Sequence, residues 1–241
     1  MKRSGLPEGD RCGTLRPAVA QSIVPENPTD SENLPTWPGN RACGWFGSIH
    51  PLTPPNRPHN SLYVVSHAGA LVTRYDKRYL SHTGLSYLYT TGNAPLVFEV
   101  DGIRFGTALC TETDFPEVFA QYERMDVDCV LISIMVDDTA RAALAQAHAT
   151  LHNYWVGYSV PAQFGATAPA TGVAPGGRQL ARCHPGTRPG LAIADIDPTS
   201  QDSDIDIALR HARPWRRTAR AGLYDLHIVA ADPRGDVRTR L

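Results

Sequence analysis

The stretch "PLVFEVDGIRFGTALCTETDFPEVF", residues 95–119, carries the strongest structural signals in the chain. Two apolar runs flank Asp101-Gly102, a dipeptide that favours the tight turn of a β-hairpin. Cys110 ends the second run, and Pro116 then suits the first turn of a helix with apolar residues at helical spacing. The stretch therefore predicts a hairpin, a cysteine at a strand end and a helix, in that order.

Strand and helix patterns alternate on both sides of this stretch. The predicted elements are a hairpin over 61–66 and 70–77, a helix over 117–125, a strand over 128–136, an Ala-rich helix over 137–153, strands over 154–163 and 190–197, and a loop over 171–179. Strands that alternate with helices predict one α/β layered domain over residues 1–241. Within it, residues 1–43 are expected to be irregular or shortened, and residues 200–241 to form a C-terminal arm or edge element.

Composition narrows the functional classes. The 241 residues can bury a substantial core, and a net charge of −1 gives no electrostatic reason to expect nucleic acid or an anionic membrane as partner. No apolar run has the roughly 18 residues of a membrane span, and the first residues do not form a secretory signal. The five cysteines are scattered and form no CxxC pair, which predicts reduced thiols in a cytoplasmic protein.

Cys110 has a local setting that suits a nucleophile. A thiol reacts as the thiolate, and a position just before a helix N-terminus can stabilise negative charge on sulfur or on a developing oxyanion. A buried, unreactive thiol before a turn has the same local pattern. The residues around Cys110 therefore leave both interpretations open.

A second motif connects Cys110 to a known family. The segment "YDKRYL", residues 75–80, places Lys77 33 residues before Cys110, between two hairpin patterns. Together with residues 95–117, this segment resembles the carbon–nitrogen hydrolase (nitrilase) superfamily, and the likeness runs from about residue 44 to residue 197. The resemblance implies an αββα sandwich of four layers, a homo-oligomer and no metal or organic cofactor.

The resemblance also implies a Glu-Lys-Cys triad that cleaves the carbon–nitrogen bond of a small amide, carbamoyl compound or nitrile. Cys110 would form an acyl-enzyme, and Lys77 and the backbone N–H of Thr111 would stabilise the oxyanion. Glu26, in "SIVPEN", would be the general base. Glu112 would line the substrate pocket, although a carboxylate on a solvent-facing turn has the same sequence pattern.

Several alternatives remain open at this point. Only 51 residues separate Glu26 from Lys77, and the first βα unit that the family usually shows is not evident. A degenerate member that serves as a binding or assembly module, or an acyltransferase that passes the acyl group to an amine, would share these motifs. His148 and His152 are spaced like zinc ligands but have no evident third ligand, so we expect surface or helix-packing histidines.

Overall fold

The structure is a computed structural model that describes residues 18–21, 44–66 and 68–228. Its strands are β1 Ala18–Gln21, β2 Gly44–His50, β3 His59–Val65, β4 Leu71–Asp76, β5 Val97–Val100, β6 Ile103–Leu109, β7 Cys129–Ser133, β8 Trp155–Ser159, β9 Thr171–Val173, β10 Gln179–Arg182 and β11 Gly190–Ile193. Its α-helices are α1 Pro116–Arg124, α2 Thr139–His152, α3 Ser203–Asp206 and α4 Arg213–Arg220. None of the described helices is both long and apolar enough to cross a membrane.

The central element is a six-stranded mixed sheet with the strand order β10-β9-β8-β7-β6-β5. Three of its four inner strands, β6, β7 and β8, run parallel, and the remaining pairings are antiparallel. Because the carboxyl ends of parallel strands meet at one edge of a sheet, the residues that follow β6, β7 and β8 come together there. Cys110 directly follows β6 and lies at this edge.

Both predicted hairpins are present. β5 and β6 pair antiparallel around Asp101 and Gly102, whose φ angles of 51° and 79° are those of a type I′ turn. β3 and β4 also pair antiparallel, and together with β2 they form a separate three-stranded sheet in the order β2-β3-β4. The second hairpin ends at Asp76, so that Lys77 is the first residue beyond it.

The core lies on both faces of the six-stranded sheet. On one face, α1 and α2 bury apolar side chains such as Phe119 and Ala149 against Val130 and Ile132. On the other face, the three-stranded sheet packs against Leu109 and the helical residues after 203 pack near the opposite end of the strands. Helices, one sheet and a second sheet in successive layers form the α/β sandwich that the sequence predicts.

One segment differs from its sequence-based prediction, and the structure describes a second in more detail. Residues 171–179, predicted as a loop, contain β9 and the start of β10, and Gly177 (φ 88°) allows the chain to reverse between them. Residues 203–220, predicted as part of a C-terminal arm or edge element, are helical. This helical segment packs on its own chain, where the buried Arg213 guanidinium donates to the Val127 carbonyl at 2.8 Å. Of residues 1–43, only β1 is described, and it pairs antiparallel with β11.

Candidate active site

Lys77 is held at the end of the β3–β4 hairpin by its own backbone. Its N–H donates to the Asn60 carbonyl at 2.8 Å, and its carbonyl accepts from the Gly92 N–H at 2.8 Å. A Cβ atom at Gly92 would lie 2.0 Å from the Asp76 carbonyl oxygen, so this close approach requires glycine. The Lys77 side chain is buried, with the residue only 4% exposed, in contrast to an ordinary surface lysine.

Cys110 has a strained backbone at the end of β6. Its φ of 50° lies in the left-handed region, which is uncommon for any residue except glycine. It begins a 3-10 turn, Cys110–Asp114, in which the Thr113 hydroxyl donates to the Cys110 carbonyl at 2.7 Å. Strain of this kind persists where the surrounding structure holds it, and it is concentrated at functional sites. Cys110 is partly exposed at this edge of the sheet.

Glu112 joins the lysine segment to the cysteine turn. Its Oε1 accepts from the Tyr75 hydroxyl and from the backbone N–H groups of Arg78 and Tyr79, at 2.7, 2.7 and 3.1 Å. Its Oε2 accepts from the Leu109 N–H at 2.7 Å. The residue is 0% exposed. One buried carboxyl group thus connects the residues around Lys77 to the strand end that carries Cys110.

This position excludes one of the two sequence-based alternatives for Glu112. It does not face solvent on a turn, because the residue is fully buried and four donors of the chain occupy its carboxyl oxygens. Thr111 lies on the same turn, and its hydroxyl donates to the Tyr79 carbonyl at 3.1 Å, a second connection between the two segments. Glu26, the predicted general base, lies outside the described residues.

Electrostatic interactions connect Lys77 to the cysteine turn. Burial lowers the pKa of Lys77 below its ordinary value of 10.5, and the proximity of Cys110 and Glu112 offsets part of this effect. A lysine whose proton is held less tightly than in water, next to a thiol at a strand end, is typical of a functional site rather than of a solvated surface.

Two residues near the cysteine turn, Arg141 and Tyr158, were missed from the sequence. Arg141, in the first turn of α2, donates to the Asp114 carboxylate at 2.7 Å. Tyr158, near the end of β8, is 1% exposed, and its hydroxyl has no hydrogen-bond partner among the described residues. Burial, followed by electrostatic interactions with Asp138 and Cys110, raises the pKa of Tyr158 to about 12. The parallel strands β6, β7 and β8 were the signal that could have located these residues, because the segments that follow parallel strands meet at one edge of the sheet.

The two histidines of α2 lie in the core. His148 stacks on Phe119 at a centroid distance of 3.6 Å and hydrogen-bonds the Thr113 carbonyl at 3.0 Å, whereas His152 hydrogen-bonds Glu123 at 2.5 Å. They pack between helices and the sheet rather than at the surface. Among the described residues, no group of three or more His, Cys, Asp or Glu side chains is arranged to hold a metal ion.

Solved structures with this fold include an amidase from Nesterenkonia sp., which is 20% identical and has a TM-score of 0.57, with 73% of this chain and 66% of the amidase covered. A variant of the Nesterenkonia sp. AN1 amidase in complex with butyramide is 18% identical, with a TM-score of 0.56 and coverage of 73% and 67%. Another variant, 19% identical with a TM-score of 0.57 and the same coverage, carries the acetamide moiety of fluoroacetamide covalently at its active-site cysteine.

At these identities the structural likeness establishes the fold, and this chain spans about two thirds of the length of the first of these amidases. No curated protein sequence matches the chain. Residues 44–203, more than half of the chain, match the family model described as carbon-nitrogen hydrolase. The chain therefore belongs to the carbon–nitrogen hydrolase family, and it has the α/β sandwich of the nitrilase superfamily.

Proposed function

We propose that this protein hydrolyses the carbon–nitrogen bond of a small amide through a covalent acyl-enzyme on Cys110. The observation that carries the proposal is the junction at Glu112. A buried lysine and a strained, partly exposed cysteine, 33 residues apart in sequence, belong to two segments that share one carboxyl group. A purely structural cysteine would need neither the buried lysine nor the strained backbone.

In the proposed reaction the Cys110 sulfur attacks the amide carbon. A carbon–sulfur bond forms, and the carbonyl π electrons move to oxygen, which becomes the oxyanion of a tetrahedral intermediate. When this intermediate collapses, the carbon–nitrogen bond breaks, the nitrogen takes up a proton and leaves as ammonia, and a thioester remains. Water then attacks the thioester, releasing a carboxylic acid and restoring the thiol.

Lys77 and the start of the cysteine turn would stabilise the oxyanion. The Lys77 ammonium supplies positive charge from a buried position, where electrostatic interactions are stronger than in water. The backbone N–H of Thr111 lies in the first turn of a short helix, where N–H groups have no partner within the helix. The same ammonium favours the thiolate before the attack.

Glu26 is proposed as the general base that takes the proton from the Cys110 thiol and later from the attacking water. Nitriles and carbamoyl compounds could also bond to the Cys110 sulfur, as a thioimidate and a thiocarbamate respectively, but small aliphatic amides are the first substrates to test. Butyramide and the acetamide moiety of fluoroacetamide are bound by variants of the Nesterenkonia amidase, which has the same fold.

The test treats the protein with fluoroacetamide, maps the adducts by peptide mass spectrometry and measures ammonia release from acetamide, propionamide and butyramide. We expect rapid labelling at Cys110, slower labelling of it in Lys77→Met, and turnover of at least one amide. Uniform slow labelling of all cysteines would overturn the proposal. Fast labelling at Cys110 with no ammonia release would instead favour the degenerate binding module.

The general base needs a separate test. We expect Glu26→Gln to abolish ammonia release, whereas Glu32→Gln, a matched change of a nearby glutamate, leaves it unchanged. Equal activity of the two variants would contradict the role of Glu26 without affecting the role of Cys110.

The acyltransferase alternative is tested by adding hydroxylamine. A product in which the acyl group is bonded to the hydroxylamine nitrogen would identify acyl transfer, because the thioester then reacts with an amine in place of water.

A further inference from the structure

Arg141 contacts the turn that begins with Cys110, although it belongs to a different element. It lies in the first turn of α2, and its Nη2 donates to the Asp114 carboxylate at 2.7 Å. Asp114 is the last residue of the Cys110–Asp114 turn. The Arg141 Nη1 forms a second ion pair with Asp138, the N-cap residue of α2. The guanidinium therefore bridges the cysteine turn and the helix start.

This guanidinium is held more firmly than an ordinary surface arginine. Its side chain is 18% exposed, and its two terminal nitrogens each contact a different carboxylate. Its Nε is buried and has no hydrogen-bond partner among the described residues. A buried donor without a partner costs free energy. The fold therefore keeps this cation in place although the unpaired Nε lowers the stability of the folded state.

Charged and titratable groups approach Cys110 from several elements. Lys77 after β4, Arg141 at the start of α2 and Tyr158 of β8 interact electrostatically with Cys110. Glu112 and Asp114 lie in the turn itself, and Asp137 and Asp138 interact with Tyr158 from the segment just before α2. His148 reaches the same turn through the Thr113 carbonyl. Burial lowers the pKa of Arg141, but Asp114, Cys110 and Asp138 together outweigh burial and raise it. Arg141 in turn helps to lower the pKa of Lys77.

Lys77 and Arg141 thus differ in how firmly they hold their charges. The pKa of Lys77 is lowered, mainly by burial, so its positive charge is lost more easily as the pH rises. A guanidinium keeps its charge throughout the range in which proteins are studied, and its planar fork can hold two carboxylates at once. A permanent cation therefore remains beside the cysteine turn when Lys77 loses its proton.

We propose that Arg141 is a positioning residue for the proposed amide hydrolysis, which fixes the Asp114 end of the cysteine turn and maintains a permanent positive charge beside Cys110. This inference rests on the proposed function, because it assigns Arg141 a part in activating the same nucleophile. Arg141 touches neither substrate nor sulfur in this role. It acts through the position and the electrostatic environment of the turn.

The test measures the rate of Cys110 alkylation by iodoacetamide, a neutral electrophile, as a function of pH. In Arg141→Gln we expect the pH of half-maximal alkylation to rise by about one unit and the rate near neutral pH to fall about tenfold. Arg141→Lys keeps the charge, so its midpoint should stay close to that of the wild type. A midpoint in Arg141→Lys shifted as far as in Arg141→Gln would overturn the proposal.

Arg178 provides a matched control. It forms ion pairs with two aspartates, Asp202 and Asp204, as Arg141 does, but its side chain is 48% exposed and lies far along the chain from Cys110. Arg178→Gln should leave the alkylation profile unchanged. A shift in Arg178→Gln equal to that in Arg141→Gln would contradict the proposal, because the effect would then not depend on proximity to the cysteine turn.

A second variant keeps the proposal falsifiable if Arg141→Gln fails to fold. Asp138→Asn removes a negative charge beside Arg141 and keeps a good N-cap residue for α2. The midpoint of alkylation should then fall, opposite in sign to Arg141→Gln, and an unchanged or raised midpoint would overturn the proposal. Alkylation does not require turnover, so an inactive protein with these shifts would contradict the proposed function but not the role of Arg141.

Discussion

Glu112 and Glu123 are both almost fully buried, yet the carboxyl group of Glu112 has uncharged donors as partners, whereas that of Glu123 pairs with basic side chains. Glu112, 0% exposed, accepts hydrogen bonds from one hydroxyl and three backbone N–H groups. Glu123, 3% exposed, pairs with His152 at 2.5 Å, with Arg220 at 2.8 Å and with Arg216 at 3.3 Å. The first carboxyl group joins the candidate active site, and the second anchors the C-terminal helix α4.

The pKa of Lys77, which lies beside Glu112, and the pKa of Glu123 itself are both shifted by folding, with opposite consequences for the charged form of each group. Burial lowers the pKa of Lys77, beside Glu112, so the folded protein binds this proton less tightly than the unfolded chain does. Burial alone would raise the pKa of Glu123, but the His152 hydrogen bond, Arg216 and Arg220 outweigh it and lower the pKa. Folding therefore disfavours the charged form of Lys77 and favours the charged form of Glu123.

This difference separates a group that serves function from a group that serves stability. The candidate site keeps a buried cation at a cost to the folded state, which is typical of residues retained for chemistry. The Glu123 group contributes stability and attaches the C-terminal helix to α1. Variants in the two groups should therefore lose different properties.

The largest expected effect is on activity, in Lys77→Met. Loss of the ammonium should reduce amide turnover by about 100- to 1,000-fold, the usual effect of removing one oxyanion donor. The free energy of unfolding near neutral pH should be unchanged or slightly higher, because an apolar side chain of similar length replaces a buried charge. Turnover assays and urea unfolding of the same samples measure both quantities.

The pH dependence of Lys77→Met adds a second check. In the wild type, the lowered pKa of Lys77 makes stability rise with pH as the pH passes through that pKa toward the ordinary value of 10.5. Lys77→Met lacks this rise, so any stability advantage of the variant should shrink at alkaline pH. A variant that is markedly less stable than the wild type at neutral pH would refute the idea that the site holds this charge at a cost.

Glu112→Gln should reduce both stability and activity. An amide NH2 must then face the Leu109 N–H or the three donors at the other oxygen, so at least one donor meets a donor. We expect a loss of about 1–3 kcal/mol in the free energy of unfolding and a fall of at least about tenfold in turnover. Glu117→Gln, an exposed change in α1, is the control and should alter neither. Full activity of Glu112→Gln would show that the shared carboxyl group does not position the site.

The smallest effect concerns stability alone, in Glu123→Gln. We expect a loss of about 1–2 kcal/mol near neutral pH, moderated by the partial exposure of Arg216 and Arg220, with turnover within about threefold of the wild type. Arg217→Gln is the control: it removes a pair with Asp126 in which both side chains are about half exposed, and should cost less than about 0.5 kcal/mol.

At strongly acidic pH, the wild type and Glu123→Gln should have the same free energy of unfolding. Because the pKa of Glu123 is lowered on folding, its contribution is present above its ordinary value of 4.5 and is lost as the pH falls through the lowered value. Urea unfolding at neutral and at strongly acidic pH measures this convergence. A difference that persists in acid would mean that Glu123 stabilises by packing rather than by charge.

Local sequence patterns predicted much of the fold correctly. Asp101-Gly102 specified its hairpin because both residues tolerate positive φ, and Pro116 is found in the first turn of α1 as expected. The segment 171–179 was misjudged because its glycines and proline suggest a loop, whereas pairing with β8 made Thr171–Val173 a strand. The helices within residues 203–220 were not predicted individually, and the arginines of α4 form contacts that are distant in sequence.

The sequence by itself determined the hairpins, the alternation of strands and helices, and the candidacy of Cys110 and Lys77, because these depend on turn chemistry, periodicity and motif order within short segments. Only the tertiary structure decided the positions of Glu112 and Arg141. The partners of Glu112 lie up to 37 residues away, and Arg141 reaches Asp114 across 27 residues. Burial and ion pairing of this kind depend on which strand ends lie together in the fold. The parallel order of β6, β7 and β8 determines which ends these are.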